Sequence, residues 1–154
     1  MAIVYSAQKT KWASNTPSEK VQTNELAGRV RVAYGSYTAA ADAAGTDIEM
    51  FNLPNGARVV GAKLGHAALG AGTTLSVGYT AHTDSSGAAV AADTDAYKAA
   101  AASTSAQVVD AYATLALGYG SVTDANEAGL PVCVSIGGGA ATGDITLTVL
   151  YVTD

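Results

Sequence analysis

The side chains able to do chemistry are few and scattered. Hydrolytic catalysis sets an imidazole beside a nucleophile and an acid. The chain has two histidines, His66 and His82, and the nearest trio is His82, Asp84 and Ser85. Neighbours in one loop seldom hold triad geometry, and there is no Gly-x-Ser-x-Gly elbow. Asp93 and Asp95, with Asp84 upstream, could ligate Ca2+ through oxygen, but they lack EF-hand spacing, so a solvated loop is expected. Gly137-Gly-Gly-Ala-Ala-Thr-Gly143 has the glycine of a phosphate cradle without its Gly-Lys-Ser/Thr ending, and it precedes a strand. Cys133, within Leu-Pro-Val-Cys-Val-Ser-Ile, has the setting of a buried, inert thiol. Tyr34, Tyr37, Tyr79, Tyr112, Tyr119 and Tyr151 could form a sugar platform. At strand ends, however, tyrosines more often edge the core with the hydroxyl wet. The residues therefore nominate no catalytic, cofactor-binding or metal site, and by elimination a binding or structural role is left.

The elements that would carry these residues read as β. Val30, Val32 and Tyr34 alternate with Arg29, Arg31, Ala33 and Gly35, which is period two. Thr46–Leu53 sets Ile48 and Met50 against Asp47 and Glu49. Leu53-Pro-Asn-Gly is a turn, since Pro presets φ and Asn-Gly tolerates positive φ. Strand 57–65 follows, with Val60, Ala62 and Leu64 on one face. The alternation is cleanest in strand 73–81, with Leu75, Val77 and Tyr79 in and Thr74, Ser76, Gly78 and Thr80 out. Residues 82–90 read as a polar loop. Residues 91–105 are ambiguous between a short helix capped by Asp93 or Asp95 and an exposed Ala/Ser/Thr loop, and an irregular excursion is favoured. Strands are then expected at 107–111, 114–119, 130–136 and 144–152. About eight short strands punctuated by glycine turns predict an antiparallel β-sandwich, jelly-roll or immunoglobulin-like, with a closed barrel as the alternative. Leu75-Ser-Val-Gly-Tyr-Thr-Ala-His-Thr-Asp84 is echoed 40 residues on by Leu115–Asp124. Two similar corners explain the echo more simply than pseudo-symmetry between sheets.

Residues 1–27 differ from this body, 28–154. They hold most of the long polar side chains and the single Trp, Trp12, and no period dominates. An extended N-terminal arm is expected, with a short strand at 2–5. Seven of the eight Lys/Arg but only five of the thirteen acids lie in residues 1–63. A basic leading segment on an acidic body suggests docking through one end. The net charge of -5 argues against binding nucleic acid by phosphate neutralisation. No run of about 18 apolar residues offers a membrane span, and no signal peptide is visible, so synthesis in a cytoplasm is expected. The apolar fraction is 49%, much of it Ala, with 17 Gly; this predicts a thin core that gains from neighbours.

Leu53-Pro-Asn-Gly-Ala-Arg-Val-Val-Gly, Thr-Thr-Leu-Ser-Val-Gly-Tyr79 and Gly143-Asp-Ile-Thr-Leu-Thr-Val-Leu-Tyr-Val152 together resemble small virion proteins of tailed bacteriophages, of the head decoration or cement type. The resemblance covers residues 28–154, and its motifs are structural. It implies a non-enzymatic protein on the outer surface of an icosahedral head, bridging neighbouring major capsid proteins. It requires no cofactor. On this reading Lys9, Lys11, Trp12 and Lys20 of the arm supply the docking contacts. A homo-oligomer is expected, a trimer first and a dimer second, because closed symmetry suits lattice axes. The competing reading is a head- or tail-fibre recognition module that binds a host-surface receptor or glycan through residues 82–90 and 91–105.

Overall fold

The structure is a computed structural model that describes residues 4–14, 16–22 and 25–153. Among these residues ten strands follow a leading helix, α1 (Ala7–Ala13): β1 (Val30–Asp42), β2 (Asp47–Leu53), β3 (Arg58–His66), β4 (Thr74–Tyr79), β5 (His82–Thr83), β6 (Ala89–Val90), β7 (Asp93–Ala102), β8 (Gln107–Ala111), β9 (Leu130–Gly137) and β10 (Ala141–Val152). Eight of them form two antiparallel four-stranded sheets, ordered β1-β10-β3-β8 and β2-β9-β4-β7, and β5-β6 is a separate ribbon. Successive long strands cross from one sheet to the other at β1–β2, β2–β3, β3–β4, β7–β8, β8–β9 and β9–β10. This is jelly-roll wiring, two interleaved Greek keys, and it decides between the two sandwich types.

Between the sheets the inward side chains interdigitate. Leu53, Leu64, Leu75, Val77, Val132, Val134, Leu147 and Val149 are all at most 1% exposed. The Leu53-Pro-Asn-Gly turn closes as its composition predicts. Ala57 N–H donates to Pro54 O at 3.2 Å, with Gly56 at φ 76°. Thr123 pins the turn from outside, its Oγ1 donating to Pro54 O at 2.5 Å and accepting from Ala57 N at 2.9 Å.

Four expectations are corrected. Residues 93–102 are neither helix nor irregular chain but the edge strand β7. Alanine's helix preference is a weak prior, and pairing with β4 overrides it. Residues 114–119 are not a strand. Leu115–Leu117 is a 3-10 turn capped by Thr114, whose side chain accepts from Leu117 N. The echo of Leu75–Asp84 therefore falls on unlike structures. In β4, Ser76 and Gly78 are buried as well as Leu75 and Val77, because the start of β7 lies across the outer side of the strand, where Ser76 Oγ donates to Thr94 O at 2.9 Å. Finally, the polar loop 82–90 contains the β5-β6 ribbon.

The leading segment also differs from an extended chain, since it carries α1 and a 3-10 turn at Pro17–Glu19. Of the strand expected at 2–5, Ala2 and Ile3 lie outside the described residues, and Val4 and Tyr5 are not in a strand.

Candidate docking surface

Ser6 starts α1, its side chain accepting from Lys9 N at 3.2 Å, the N-cap role to which serine is suited. At the other end Lys20 Nζ donates to Ser14 O and to Trp12 O, the latter at 3.5 Å. A cation there satisfies carbonyls the helix leaves without partners and complements its dipole. Lys11 Nζ meets Glu25 Oε2 at 3.1 Å, and Gln8 Nε2 donates to Glu25 Oε1 at 3.3 Å. Lys11 first, then Gln8, hold the Glu25 carboxyl below its usual range. Glu25 in turn lies 3.8 Å from Arg58 Nη2 on β3, and Arg58 Nη1 donates to Gly120 O at 2.6 Å. The segment is thus folded on itself and fastened to the body through Glu25.

Of the four residues that the sequence nominates, two shape the segment and two are presented by it. Lys11 and Lys20 are spent on internal contacts. Lys9 is exposed, and Trp12 is 60% exposed. Two open hollows flank the indole. One, about 380 Å3, is lined by Trp12, Lys20, Val21, Leu26 and Ala27. The other, about 290 Å3, is lined by Gln8, Lys9, Trp12, Val21 and Leu26. Val21, Leu26, Glu25 and Arg58 are missed by sequence reasoning because nothing periodic joins them to Trp12; only the chain reversal does.

The segment leads into an unusual face. In β1 the small residues Gly35 and Ala39 turn inward and are buried, while Val30, Val32 and Tyr34 face solvent at 59%, 60% and 62% exposure. The reason is a close approach of backbone, since a Cβ on Gly35 would stand 2.8 Å from Met50 Cβ. The exposed stripe continues across the sheet, where Val32 pairs with Leu150, and Tyr34 with Thr148 and then Lys63. Val30, Val32, Tyr34 and Leu150 thus expose apolar side chains on this face, bordered by Thr148 and Lys63.

The chemical candidates do not assemble. His82 faces Thr80 O at 3.2 Å and Asp124 O at 3.3 Å. Asp84 caps its own turn, accepting from Ser86 N, Ser86 Oγ and Ala88 N at 2.7–2.9 Å. Ser85 N donates to Asp124 Oδ1 at 3.0 Å. Asp93 accepts from Asp95 N at 3.4 Å, and among the described residues no three His, Cys, Asp or Glu side chains group as metal ligands. His66 is buried with Nδ1 2.9 Å from Ala67 O. Cys133 is buried, and burial, then Asp47, push its thiol up to about 11. The Gly137–Gly143 turn packs backbone on backbone, where a Cβ on Gly138 would meet Gly72 O at 2.1 Å; no cradle is left. Tyr79, His82 and Tyr97 line a shallow hollow of about 440 Å3 with Asp84 and Asp124 at its rim. There the His82 ring stands edge-on to Tyr79 at 5.3 Å, and Tyr97 stacks on Tyr112 at 4.0 Å.

No protein-family model matches the chain, and no curated protein matches it. Solved structures do. The chain is similar to one in the capsid of Ralstonia phage GP4, with a TM-score of 0.62 and 27% identity over 82% of this chain and 86% of that one. It is similar in fold to a chain of the cyanophage Pam1 capsid asymmetric unit, with a TM-score of 0.57 and 22% identity over 92% of this chain and 99% of that one. The fold described above is thus one found in chains of phage capsids.

Proposed function

We propose that this chain is a structural protein of a bacteriophage virion, and that it decorates the outer surface of the icosahedral head and stabilises it by bridging neighbouring major capsid proteins. One observation carries the reading: the likeness to the chain of the Ralstonia phage GP4 capsid runs through most of both chains, so it concerns the whole module and not one motif.

The surfaces described are consistent with a fastener. A rigid sandwich loses little conformational entropy on docking, and each contact can be small because it repeats over a lattice at high effective concentration. The leading segment, residues 1–27, is the docking arm of this proposal, with Trp12 and Lys9 as contact residues and Lys11 and Lys20 holding its shape. Residues 28–154 form the body. The function needs no catalysis, cofactor or nucleic acid, and self-association accompanies it. The competing recognition module keeps the hollow beside His82 but loses most of the loop expected at 91–105, since residues 93–102 form the strand β7.

The test is occupancy. Tagged chain mixed with heads of the parent phage that lack it, then imaged by electron microscopy, should decorate the whole shell in hundreds of copies. A handful of copies at one vertex or on the tail would transfer the protein to the recognition class.

A further inference from the structure

β1 is an edge left open. The other edges are guarded in ways that discourage added strands. β8 has only five residues. β2 carries Asp47 and Glu49 and shifts register between Glu49 and Phe51. β7 begins with Asp93 and Asp95 and shifts register twice against β4. β1 is 13 residues long, has no Pro, and keeps one unbroken register with β10 from Val30 to Ala40. Its other side has no strand partner among the described residues.

We propose that a second copy of this chain occupies that edge, the two β1 strands pairing antiparallel about a two-fold axis at Ser36. The occupant follows from the strand's self-complementarity. With Ser36 opposite Ser36 of the second copy, Tyr34 faces Thr38, Gly35 faces Tyr37, Ala33 faces Ala39 and Val32 faces Ala40. In this register no two bulky side chains stand directly opposite one another. Ala41, at φ 65°, is the extra residue of a bulge, since β10 skips it in going from Ala40 to Asp42. The bulge brings Asp42 onto the face that Arg31 occupies, and the same register then sets Arg31 of each copy against Asp42 of the other. Arg31 is exposed and has no ion-pair partner among the described residues. Asp42 accepts Tyr37 Oη through Oδ2 at 2.9 Å, which leaves Oδ1 for the guanidinium. Opposite charges placed directly across an antiparallel pair are favourable, and like charges are not. A two-fold contact uses one patch on both copies, so the pairing joins two four-stranded sheets into one of eight. It favours the dimer over the trimer as the basic unit, and it holds whether or not the protein attaches to a head.

Sedimentation of the full chain tests the contact, and cysteine pairing tests the register. The native chain should sediment as a dimer. Arg31→Glu and Asp42→Lys should each yield monomer, and the double variant should restore the dimer. Directly opposed residues lie about 4.5–5.5 Å apart at Cα, within disulfide reach. Ser36→Cys should therefore form a covalent dimer under mild oxidation. Tyr34→Cys and Thr38→Cys should do so only when mixed with each other. Cys133, buried, stays silent in these assays. A native monomer or trimer, a dimer that survives both charge reversals, or a dimer that Ser36→Cys does not cross-link would overturn the proposal. Because Ser36 is exposed on the strand, its exchange for Cys keeps the test decisive if a charge variant fails to fold.

Discussion

Gly78 lies so close beneath β7 that a Cβ on it would stand 2.0 Å from the carbonyl oxygen of Asp93. The contact is backbone against backbone, with no flexible side chain to yield, and it lets β7 lie across the outer side of β4. Gly78→Ala should lower the unfolding free energy by about 3 kcal/mol or more, the upper range of overpacking. Gly61→Ala is the control. Its Cβ would meet nothing within 4 Å, and removing a strand glycine should stabilise by about 0.5 kcal/mol. Urea unfolding of both variants checks the pair, and equal effects would contradict the packing described.

The leading segment should be separable from the body. α1 contains no buried residue, and among the described residues its ion-pair tie to β3 runs through one carboxylate, Glu25, near Arg58. Removal of residues 1–27 should leave one cooperative thermal transition with little change in midpoint by circular dichroism, yet abolish pelleting with phage heads. Trp12→Ala in the full chain should weaken pelleting in the same direction. Full occupancy by the truncated chain would remove the segment from the docking role.

Acid should loosen two places before it unfolds the sandwich. Asp84 is held below its ordinary value first by the Ser86 hydroxyl and then by Ala88 N–H, Asp124 by Ser85, and Glu25 by Lys11 and then Gln8. A carboxyl depressed in the folded state contributes stability above its unfolded value, about 3.9 for Asp and about 4.3 for Glu. That contribution drains as pH falls through the lower folded value. Hydrogen-exchange protection of Ser85, Ser86 and Ala88 amides should therefore drop below about pH 4. Trp12 fluorescence, from the sole tryptophan, should report release of the leading segment in the same range. Loss of either signal near neutral pH would contradict these assignments. Salt at neutral pH should mimic the second change by screening Lys11 from Glu25.

Cys133 should report global opening. It is fully buried on β9, and its thiol is pushed up to about 11, so little thiolate exists at neutral pH and none is accessible. Modification by a thiol reagent should be slow in the native chain and accelerate in step with urea unfolding. Fast labelling without denaturant would mean that β9 opens locally.

Much of the sandwich is legible in the sequence because alternation is a local property. Leu130–Ile136 and Ile145–Tyr151 write their inward face in every second residue, and Pro54-Asn-Gly56 writes its turn. Three features are not legible because their cause is remote. β7 is a strand only because β4 lies beside it, its Ala-rich stretch favouring a helix by itself. Val30, Val32 and Tyr34 point outward because Met50 occupies the space inside Gly35, a fact of tertiary approach. In the leading segment Lys9, Lys11, Trp12 and Lys20 are readable as residue types. Their division into presented and structural side chains depends on Glu25 and on a chain reversal that no spacing encodes.

The pairing of β1 with β10 has a kinetic consequence. Val30 sits opposite Val152, so the first strand of the body cannot be completed until a strand more than a hundred residues further on has left the ribosome. Sheets closed by such distant partners fold in milliseconds to seconds, far slower than local structures of similar stability. Through that interval the Val30–Tyr34 stripe belongs to a nascent strand with one future neighbour still unsynthesised. Crowded polysomes are then the place where this chain is most exposed to mispairing, and the yield of soluble protein should depend on translation speed more than on final stability.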